Sequence, residues 1–498
     1  MNFGIIKKTV GWILLFEAAF FLVPLITAAI YWEAEFFAFL ICMGICAALG
    51  GLCLIGKPKS DKIYAKEGFI ITALCWIVLS AFGALPFVLA GTIPNYIDAL
   101  FETVSGFTTT GATIINPEVG VESLPKCMLM WRSFTHWVGG MGVLVFIMAF
   151  LPLSGARNMH IMKAESPGPT VGKLVPKVRK TAAILYGIYG VLTLAEFLFL
   201  FCGGMPLFDA INTAFATAGT GGFSVKNAGF AAYNSYIQIV VTVFMLIFSI
   251  NFNSYYLLIR RKWKDVLTEE VKWFLIIVVG AIAAVTLNVF LTETVNAMGD
   301  KMNFGEALKH AAFSVASVVS TTGFATENFD AWPAFSQIIL VGLMFIGACA
   351  GSTGGGIKVS RLLLLGKSAG NEIGKTLHPK RIKRIMLDGR VVEDEVVRSV
   401  HAYMIAYVAI FVISLAIISL DLGNLTHGDS GAFATGFTSV TATLNNIGPG
   451  LGAVGPIGSF HDFSWWSKLV FIFDMLAGRL EIFPMLLLFA PITWRRNA

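Results

Sequence analysis

The stretch SGFTTTGATIINP, residues 105–117, decides the fold of this chain. It places a run of threonine and glycine between two strongly apolar segments. Of the 498 residues, 56% are hydrophobic and 13% are charged, and the mean hydropathy is +0.76. This composition is typical of membrane proteins and excludes a soluble globular domain. The polar run therefore needs a setting away from lipid, because an unpaired backbone group facing lipid costs several kcal/mol.

Ten segments are apolar and long enough to cross a membrane. A helix needs about 20 residues to span the roughly 30 Å hydrocarbon layer. The segments are residues 10–31, 36–55, 69–90, 127–153, 181–201, 237–258, 271–291, 335–365, 400–420 and 467–491. The first follows two lysines, as in a signal peptide, but no small-residue cleavage site comes after it, and we expect it to be retained.

Lysine and arginine are concentrated in alternate connections between these spans. Clusters occur at residues 57–66, 157–180, 260–264, 367–390 and 495–496, whereas the opposite connections hold isolated lysines. Since basic residues stay on the cytoplasmic side, this asymmetry predicts that both termini are cytoplasmic. It also explains much of the net charge of +6, so the charge does not imply a nucleic-acid partner. The seven cysteines show no metal-ligand spacing.

The local pattern of the opening stretch occurs four times. It returns as TAGTGGFSV at residues 217–225, STTGFAT at 320–326 and LNNIGPG at 444–450. Alignment on one glycine per copy gives Gly111, Gly221, Gly323 and Gly448. Four copies indicate one structural unit used four times. Each copy lies between two predicted spans, so all four units share one orientation and their loops can converge, unlike the halves of inverted-repeat transporters.

Four converging loops of this composition predict a cation site. Backbone carbonyls and threonine hydroxyls can replace the water shell of a dehydrated monovalent cation. Glycine permits the positive φ angles that such loops need. A short helix before each loop would direct the negative end of its dipole at the ion. The loops lack the clustered carboxylates that favour calcium, so a large monovalent ion fits better.

These motifs resemble the TrkH/KtrB/HKT superfamily of potassium and sodium uptake proteins, over essentially the whole chain. The two spans before the first repeat favour its bacterial TrkH branch over KtrB, which lacks them. The resemblance implies an all-α polytopic membrane protein with two N-terminal transmembrane helices and four M1–P–M2 pore-loop repeats in pseudo-fourfold arrangement. The expected units are residues 1–66 for the leading helices and 67–180, 181–270, 271–398 and 399–498 for the four repeats.

The resemblance also implies the residues of a potassium selectivity filter. A glycine in every loop is the pattern of potassium-selective members. The fourth loop departs from the others, because Asn446 and Ile447 stand where threonines stand elsewhere, so four-fold symmetric coordination is not expected. The predicted filter residues are Thr109, Thr110, Gly111, Ala112, Gly219, Thr220, Gly221, Thr321, Thr322, Gly323, Asn445, Asn446, Ile447 and Gly448.

Two features point to a gate. The glycine-rich stretch GACAGSTGGGIK, residues 347–358, interrupts a predicted span. It is either a close helix-packing motif or, as the resemblance implies, a movable barrier. Arg479 lies within the last span, where a charge is costly, and either pairs with Asp474 or Glu481 or projects beneath the filter. The predicted gating residues are Gly351, Ser352, Thr353, Gly354, Gly355, Gly356, Lys358 and Arg479.

Other polar residues near the loops have structural interpretations. Glu102 either attracts cations or caps helix ends, and Arg132 and His136 are expected to pack helices or brace loops. Three acidic residues near the predicted pore-helix starts are expected to be N-terminal helix charges. They are Asp98, Asp209 and Glu306.

Enzyme classes find no support in the sequence, which lacks H-E-x-x-H, G-x-S-x-G and Walker motifs. Sodium permeation and proton- or sodium-coupled potassium symport stay open as alternatives. The resemblance implies potassium as the transported ion, no tightly bound cofactor, a homodimer in the bacterial inner membrane, and a cytosolic TrkA-type regulatory ring that binds NAD and ATP. The basic run HPKRIKR, residues 378–384, fits contact with anionic lipid.

Overall fold

The computed structural model describes residues 3–55, 65–142, 178–296, 299–378, 384–425 and 431–494, and this part of the chain is almost wholly helical. Its helices are α1 (Phe3–Phe20), α2 (Leu22–Tyr31), α3 (Phe36–Leu54), α4 (Ala65–Gly83), α5 (Leu85–Leu89), α6 (Tyr96–Phe107), α7 (Lys126–Gly140), α8 (Val178–Cys202), α9 (Leu207–Gly219), α10 (Ser235–Ser249), α11 (Phe252–Ile259), α12 (Trp263–Val266), α13 (Glu269–Leu291), α14 (Phe304–Val319), α15 (Ala334–Ile346), α16 (Val359–Leu377), α17 (Asp394–Leu425), α18 (Ala432–Leu444), α19 (Trp465–Arg479), α20 (Phe483–Phe489) and α21 (Pro491–Trp494). One antiparallel hairpin, β1 (Met386–Leu387) and β2 (Arg390–Val391), follows α16.

Some predicted features fall outside the described residues. These are the basic clusters at 57–62, 157–177 and 495–496, most of the run at 378–384, and the second half of the predicted span 127–153.

Helices α1 to α3 form a leading pair of spans that packs on the first repeat. Helix α1 packs along α3 and α4, and α2 packs on α7. Glu33, in the turn before α3, joins the pair to α7. Its carboxylate accepts the backbone N–H groups of Lys126 at 2.6 Å and Cys127 at 2.8 Å, which satisfies two of the free amides at the start of α7.

The rest of the chain repeats one order of elements four times. An outer helix comes first (α4, α8, α13, α17), then a shorter helix (α6, α9, α14, α18), a polar loop and an inner helix (α7, α10, α15, α19). The shorter helices are called the pore helices below. They begin with acidic first turns where the sequence predicted them, at Asp98, Asp209 and Glu306. Asn303 and Glu306 form a reciprocal capping box at the start of α14, a strong N-terminal signal.

Three of the four inner helices end early where uninterrupted spans were predicted, and α15 ends at the predicted interruption, residues 347–358. The four inner helices are 15, 15, 13 and 15 residues long, less than the ~20 residues of a full crossing. The predicted span 237–258 bends by 91° between α10 and α11. The span 335–365 unwinds between α15 and α16, and the span 467–491 breaks at residues 480–482. In the span 127–153 the helix ends at Gly140.

The outer helices and the leading pair agree with the predicted spans. Six helices of the described residues are long and apolar enough to cross a membrane, or seven if α10 and α11 count as one bent span. Apolar composition alone predicted ten spans. An apolar run of this length has the same composition whether it forms one continuous helix or two shorter helices separated by a break.

Candidate functional site

All four pore helices end in the same backbone turn. The first residue beyond the helical hydrogen bonding is left-handed in each copy, at Thr109 (φ 56°), Thr220 (55°), Thr321 (59°) and Asn446 (55°). The next amide then donates to the carbonyl five residues earlier. These bonds are Thr110 to Ser105 at 2.9 Å, Gly221 to Ala216 at 2.8 Å, Thr322 to Ser317 at 2.9 Å and Ile447 to Ala442 at 2.9 Å. The chain therefore leaves each helix along the same path, through a Schellman-type end.

The glycine that follows this turn corrects one alignment. Positive φ angles occur at Gly111 (79°), Gly222 (85°), Gly323 (84°) and Gly448 (97°). The equivalent of Gly111 in the second copy is thus Gly222, not Gly221 as predicted. The sequence reasoning missed Gly222 because two glycines are adjacent there. Alignment on the threonines that begin the turns, Thr109 and Thr220, would have found it.

The four loops meet in a closed ring. A Cβ atom built on each of these glycines would collide with a carbonyl oxygen of the next loop, and the fourth loop returns to the first. The collisions are Gly111 with Gly221 at 2.1 Å, Gly222 with Thr322 at 2.0 Å, Gly323 with Ile447 at 2.1 Å and Gly448 with Thr110 at 2.7 Å. The name "loop ring" is used below for loop 1 (residues 109–111), loop 2 (220–222), loop 3 (321–323) and loop 4 (446–448) together. Side chains are excluded at its glycines by both backbone conformation and space.

Hydroxyl and amide side chains bond to one another behind the ring. Thr110 Oγ1 lies 2.8 Å from Thr108 Oγ1 and accepts from Asn446 Nδ2 at 2.9 Å. In the third loop, Thr322 Oγ1 lies 2.6 Å from Ser320 Oγ. Asn446 thus links loop 4 to loop 1, so the departure of the fourth loop from the threonine pattern has a structural role. Because these side chains bond to one another, backbone carbonyls are the remaining oxygen ligands that the ring could offer a cation.

Charged and aromatic groups brace the chain beyond the first loop. Glu102 accepts from Thr113 Oγ1 at 3.1 Å and from the N–H of Ile114 at 3.0 Å, and it pairs with Arg132 Nε at 2.7 Å. The Arg132 guanidinium lies 3.9 Å above the ring of Phe223 in the second loop. Glu102 and Arg132 are both buried. These contacts give Glu102 a loop-bracing role, which differs from both predicted interpretations, cation attraction and helix capping.

The interrupting loop, residues 347–358, lies directly beneath the loop ring. The N–H of Gly355 donates to Thr321 Oγ1 at 2.6 Å, and the N–H of Gly356 donates to the carbonyl of Asn445 at 3.1 Å. A Cβ atom on Gly355 would lie 2.3 Å from the Asn445 oxygen. The segment is therefore unwound backbone under loops 3 and 4, and not a small-residue packing motif within one helix.

Neighbouring elements hold the interrupting loop from the sides. Its Ala350 N–H donates to Glu270 Oε1 on α13 at 2.7 Å, and the N–H of Phe252 on α11 donates to the Gly351 carbonyl at 3.0 Å. Lys358, which is buried, donates to the carbonyl of Gly354 within the loop. The breaks of the inner helices and the interrupting loop thus satisfy each other's backbone groups.

Arg479 crosses beneath the ring at the end of α19. Its guanidinium donates to the carbonyls of Thr353 at 2.9 Å and Gly140 at 2.7 Å, and also to that of Gly139. The carboxylates that the sequence offered as partners have other contacts: Glu481 binds Arg361, and Asp474 accepts from Ser414 Oγ at 2.8 Å. The guanidinium therefore connects the ends of α7 and α19 to the interrupting loop.

A cavity of about 1290 Å³ lies on the far side of the interrupting loop from the ring. Its lining includes Gly354–Gly356, Lys358 and Arg479, and it extends to exposed residues such as Arg260 and Arg390. The interrupting loop and Arg479 thus lie between the ring and this wide cavity.

One group of possible metal ligands occurs in the described residues, and it lies at the leading pair. Side-chain atoms of Glu33, Glu35 and Cys127 lie within 4.8 Å of one another. Both oxygens of Glu33 already accept backbone amides of α7. This group is better explained as a helix cap than as a metal site.

Comparison with known proteins identifies the family. The family model TrkH, described as a cation transport protein, matches residues 35–495. The chain belongs to the TrkH family of cation transport proteins. It is 35% identical over 506 residues to the Trk system potassium uptake protein TrkH of Salmonella typhimurium, a match that covers 99% of this chain and all of that protein. It is 34% identical over 478 residues to TrkG of Escherichia coli, covering 95% and 94% of the two chains.

The fold agrees with a solved TrkH structure. The crystal structure of the potassium transporter TrkH from Vibrio parahaemolyticus matches with a TM-score of 0.85 and 33% sequence identity, over 99% of this chain and all of that one. The predicted family and the all-α polytopic membrane fold are confirmed. A TrkH-family protein is a transporter by class, in agreement with the absence of enzyme motifs from the sequence.

Proposed function

We propose that this protein takes up potassium across the bacterial inner membrane and that the loop ring is its selectivity filter. The observation that carries the proposal is the closed sequence of contacts among four identical helix-end turns. Carbonyl oxygens held in this way can replace the water shell of an alkali ion, and the fourfold repetition supplies them from all sides. The TrkH relatives are potassium uptake proteins by name, which supports potassium as the ion.

The ligand set favours a monovalent ion. The residues of the loop ring include no carboxylate, and Glu102, a buried acid on pore helix α6, is paired with Arg132. The C-terminal ends of the four pore helices contribute negative dipole potential that attracts a cation without binding a divalent ion tightly. The filter residues are those predicted from the sequence, with Gly222 added.

The interrupting loop and Arg479 form the gate of this proposed pore. Backbone packed under loops 3 and 4 blocks the path from the ring to the cavity, and the guanidinium adds a positive charge on the same path. Glycines allow this backbone to change conformation. Opening requires the loop to leave the groups that now accept its hydrogen bonds.

Regulation and assembly follow from the family resemblance. The proposed protein has both termini in the cytoplasm, forms a homodimer and binds a cytosolic TrkA-type ring that senses NAD and ATP. The cavity-side surface offers α16 and the β1–β2 hairpin to such a partner, with Lys367, Arg390 and Lys375 among its exposed or half-buried charges. The name "Trk system" of the relatives supports a multi-component assembly.

Reversal potentials in liposomes test the function. Purified protein is reconstituted, and potassium, sodium and proton gradients are varied separately. A reversal potential that follows the potassium gradient alone is expected for a selective passive pore. A shift with the proton or sodium gradient at fixed potassium would instead indicate coupling, and equal permeability to sodium and potassium would refute the proposed filter.

A further inference from the structure

Loop 2 of the ring lacks a side chain that the other three loops have. The residue before the ring glycine is Thr110, Thr322 or Ile447 in loops 1, 3 and 4, but it is Gly221 in loop 2. The φ angle of Gly221 is not positive, so its backbone conformation does not require glycine. The reason for glycine at this position must therefore be space.

An imidazole from another repeat occupies that space. A Cβ atom on Gly221 would lie 2.1 Å from Cγ, 2.3 Å from Nδ1 and 2.5 Å from Cδ2 of His136, and these are its three nearest atoms. His136 is on α7, the inner helix of the first repeat, and it is fully buried. Its ring also packs on Phe223, with centroids 4.2 Å apart. Within the described structure, His136 thus fills the volume that a threonine or isoleucine side chain fills in the other loops.

The same imidazole joins two loops by hydrogen bonds. His136 Nδ1 lies 2.8 Å from the carbonyl oxygen of Gly106 at the end of pore helix α6, and the N–H of Phe223 donates to His136 Nε2 at 3.3 Å. A carbonyl only accepts and an amide N–H only donates. The two partners therefore assign one neutral tautomer, with the proton on Nδ1.

The helix that carries the imidazole cannot shift easily. A Cβ atom on Gly139 would lie 1.9 Å from the Phe107 carbonyl oxygen, and one on Gly219 would lie 2.2 Å from the His136 carbonyl oxygen. Helix α7 is thus wedged between the ends of pore helices α6 and α9 with no free space. Because α7 is in close contact with both pore helices, the position of the His136 imidazole is fixed relative to loops 1 and 2.

We propose that His136 is a positioning residue of the ion filter, which takes the place of the missing side chain of loop 2 and sets the distance between loops 1 and 2. It would hold the Gly221 carbonyl, which faces Gly111, at the distance that favours potassium over sodium. This inference rests on the proposed function of the loop ring. His136 does not touch the ion; it acts through the backbone of Gly221 and Phe223.

The test combines conservative replacement with a size exchange. His136→Gln keeps one donor and one acceptor at similar reach, whereas His136→Ala removes both. Gly221→Ala adds the atom that the imidazole excludes, and the double variant Gly221→Ala/His136→Ala removes that collision. His401→Gln, at an exposed site on α17, controls for the loss of an imidazole. The readout is the potassium-to-sodium permeability ratio from reversal potentials, which does not depend on the number of open proteins.

The expected results separate positioning from general stability. His136→Ala lowers the permeability ratio by about tenfold, as expected for the loss of two hydrogen bonds, while His136→Gln stays within about threefold of the wild type. Gly221→Ala folds poorly or loses selectivity, and adding His136→Ala restores a monodisperse protein. His401→Gln leaves the ratio unchanged.

Two outcomes would overturn the inference. One is a folded His136→Ala protein with the wild-type ratio. The other is a Gly221→Ala protein that folds and has the wild-type permeability ratio. This second outcome would refute the inference even if His136→Ala does not fold. Failure of the proposed function gives a different result, because the unmodified protein would then show a ratio near one.

Discussion

Arg479 Nη1 donates a hydrogen bond of 2.9 Å to the carbonyl oxygen of Thr353 and so joins the end of α19 to the middle of the interrupting loop. The same guanidinium reaches the end of α7 through the carbonyl of Gly140 at 2.7 Å. One side chain therefore connects the first and fourth inner helices to the segment that lies beneath the ring. The contact with Thr353 exists only while that segment stays in its present position.

Removal of this connection should favour the open pore. Arg479→Ala removes the hydrogen bonds to Thr353, Gly140 and Gly139 together with a positive charge on the proposed ion path. We expect potassium-driven uptake of radioactive rubidium into liposomes to rise by about tenfold, because the lost bond between the charged guanidinium and the Thr353 carbonyl stabilises the closed state by about 1.5 kcal/mol. Arg390→Ala, which removes an exposed charge from the same cavity, is the matched control and should leave uptake unchanged. Uptake that is equal in the Arg479 variant and the wild type would contradict this role.

The second loop offers a test of the corrected alignment. Gly222→Ala places a side chain at φ +85° and 2.0 Å from the Thr322 carbonyl oxygen, so the ring cannot close and the potassium-to-sodium permeability ratio should fall toward one. Gly204→Ala is matched in backbone strain, with φ +87°, but its Cβ would meet no atom within 4 Å. This control should lose only about 1–2 kcal/mol of stability and keep its selectivity. Normal selectivity in the Gly222 variant would refute the alignment.

The sequence predicted the parts of the fold that local patterns determine. The length of the apolar runs predicted the outer helices. The repeated threonine and glycine pattern predicted the four loops and three of the four ring glycines. The assignment of Gly222 failed because two glycines are adjacent, and the choice between them depends on the bond from Gly221 N–H to the Ala216 carbonyl. Sequence pattern does not reveal which amide makes that bond.

The interruption after α15 was predicted from its glycines, but the breaks in the other inner helices could not be predicted, for a related reason. Between α10 and α11 no proline is present to mark the break. The amides and carbonyls freed there are satisfied by the interrupting loop about 100 residues later, as in the bonds from Cys349 N–H to the Ser249 carbonyl and from Phe252 N–H to the Gly351 carbonyl. Such long-range pairing leaves no periodic signal in either segment. The carbonyl partners of Arg479 were missed likewise, because the sequence offered the nearby acids Asp474 and Glu481 as partners.

Glu270 should hold the interrupting loop closed from the side of α13. Its Oε1 accepts from the N–H groups of Ala350 at 2.7 Å and Ser360 at 3.1 Å, and bonds to a charged group contribute about 1.5–3 kcal/mol each. Glu270→Ala should therefore raise rubidium uptake by tenfold or more, whereas Glu270→Gln, which keeps an acceptor oxygen, should raise it less. The adjacent Glu269→Ala removes a carboxylate that pairs with Lys367 at 2.5 Å and serves as the control. Equal uptake in the Glu269 and Glu270 alanine variants would argue against a specific latch.

The buried His310 on pore helix α14 should make stability depend on pH. Its Nδ1 lies 2.9 Å from Thr326 Oγ1, and burial lowers the pKa of His310 from 6.5 to about 4, with a further lowering by Lys309 and an opposing effect of Glu306. A histidine with a lowered folded pKa binds its proton more readily when unfolded, so its contribution to stability is complete above pH 6.5 and is lost as the pH falls toward 4. The slope of the free energy of unfolding should approach about 1.4 kcal/mol per pH unit in this window.

The measurement is Tm in detergent from pH 7.5 to 4 for the wild type and for His310→Gln, with His401→Gln as a control for the loss of an imidazole. The difference between the wild type and His310→Gln should shrink as the pH falls, and parallel curves would show that the imidazole is not buried in its neutral form.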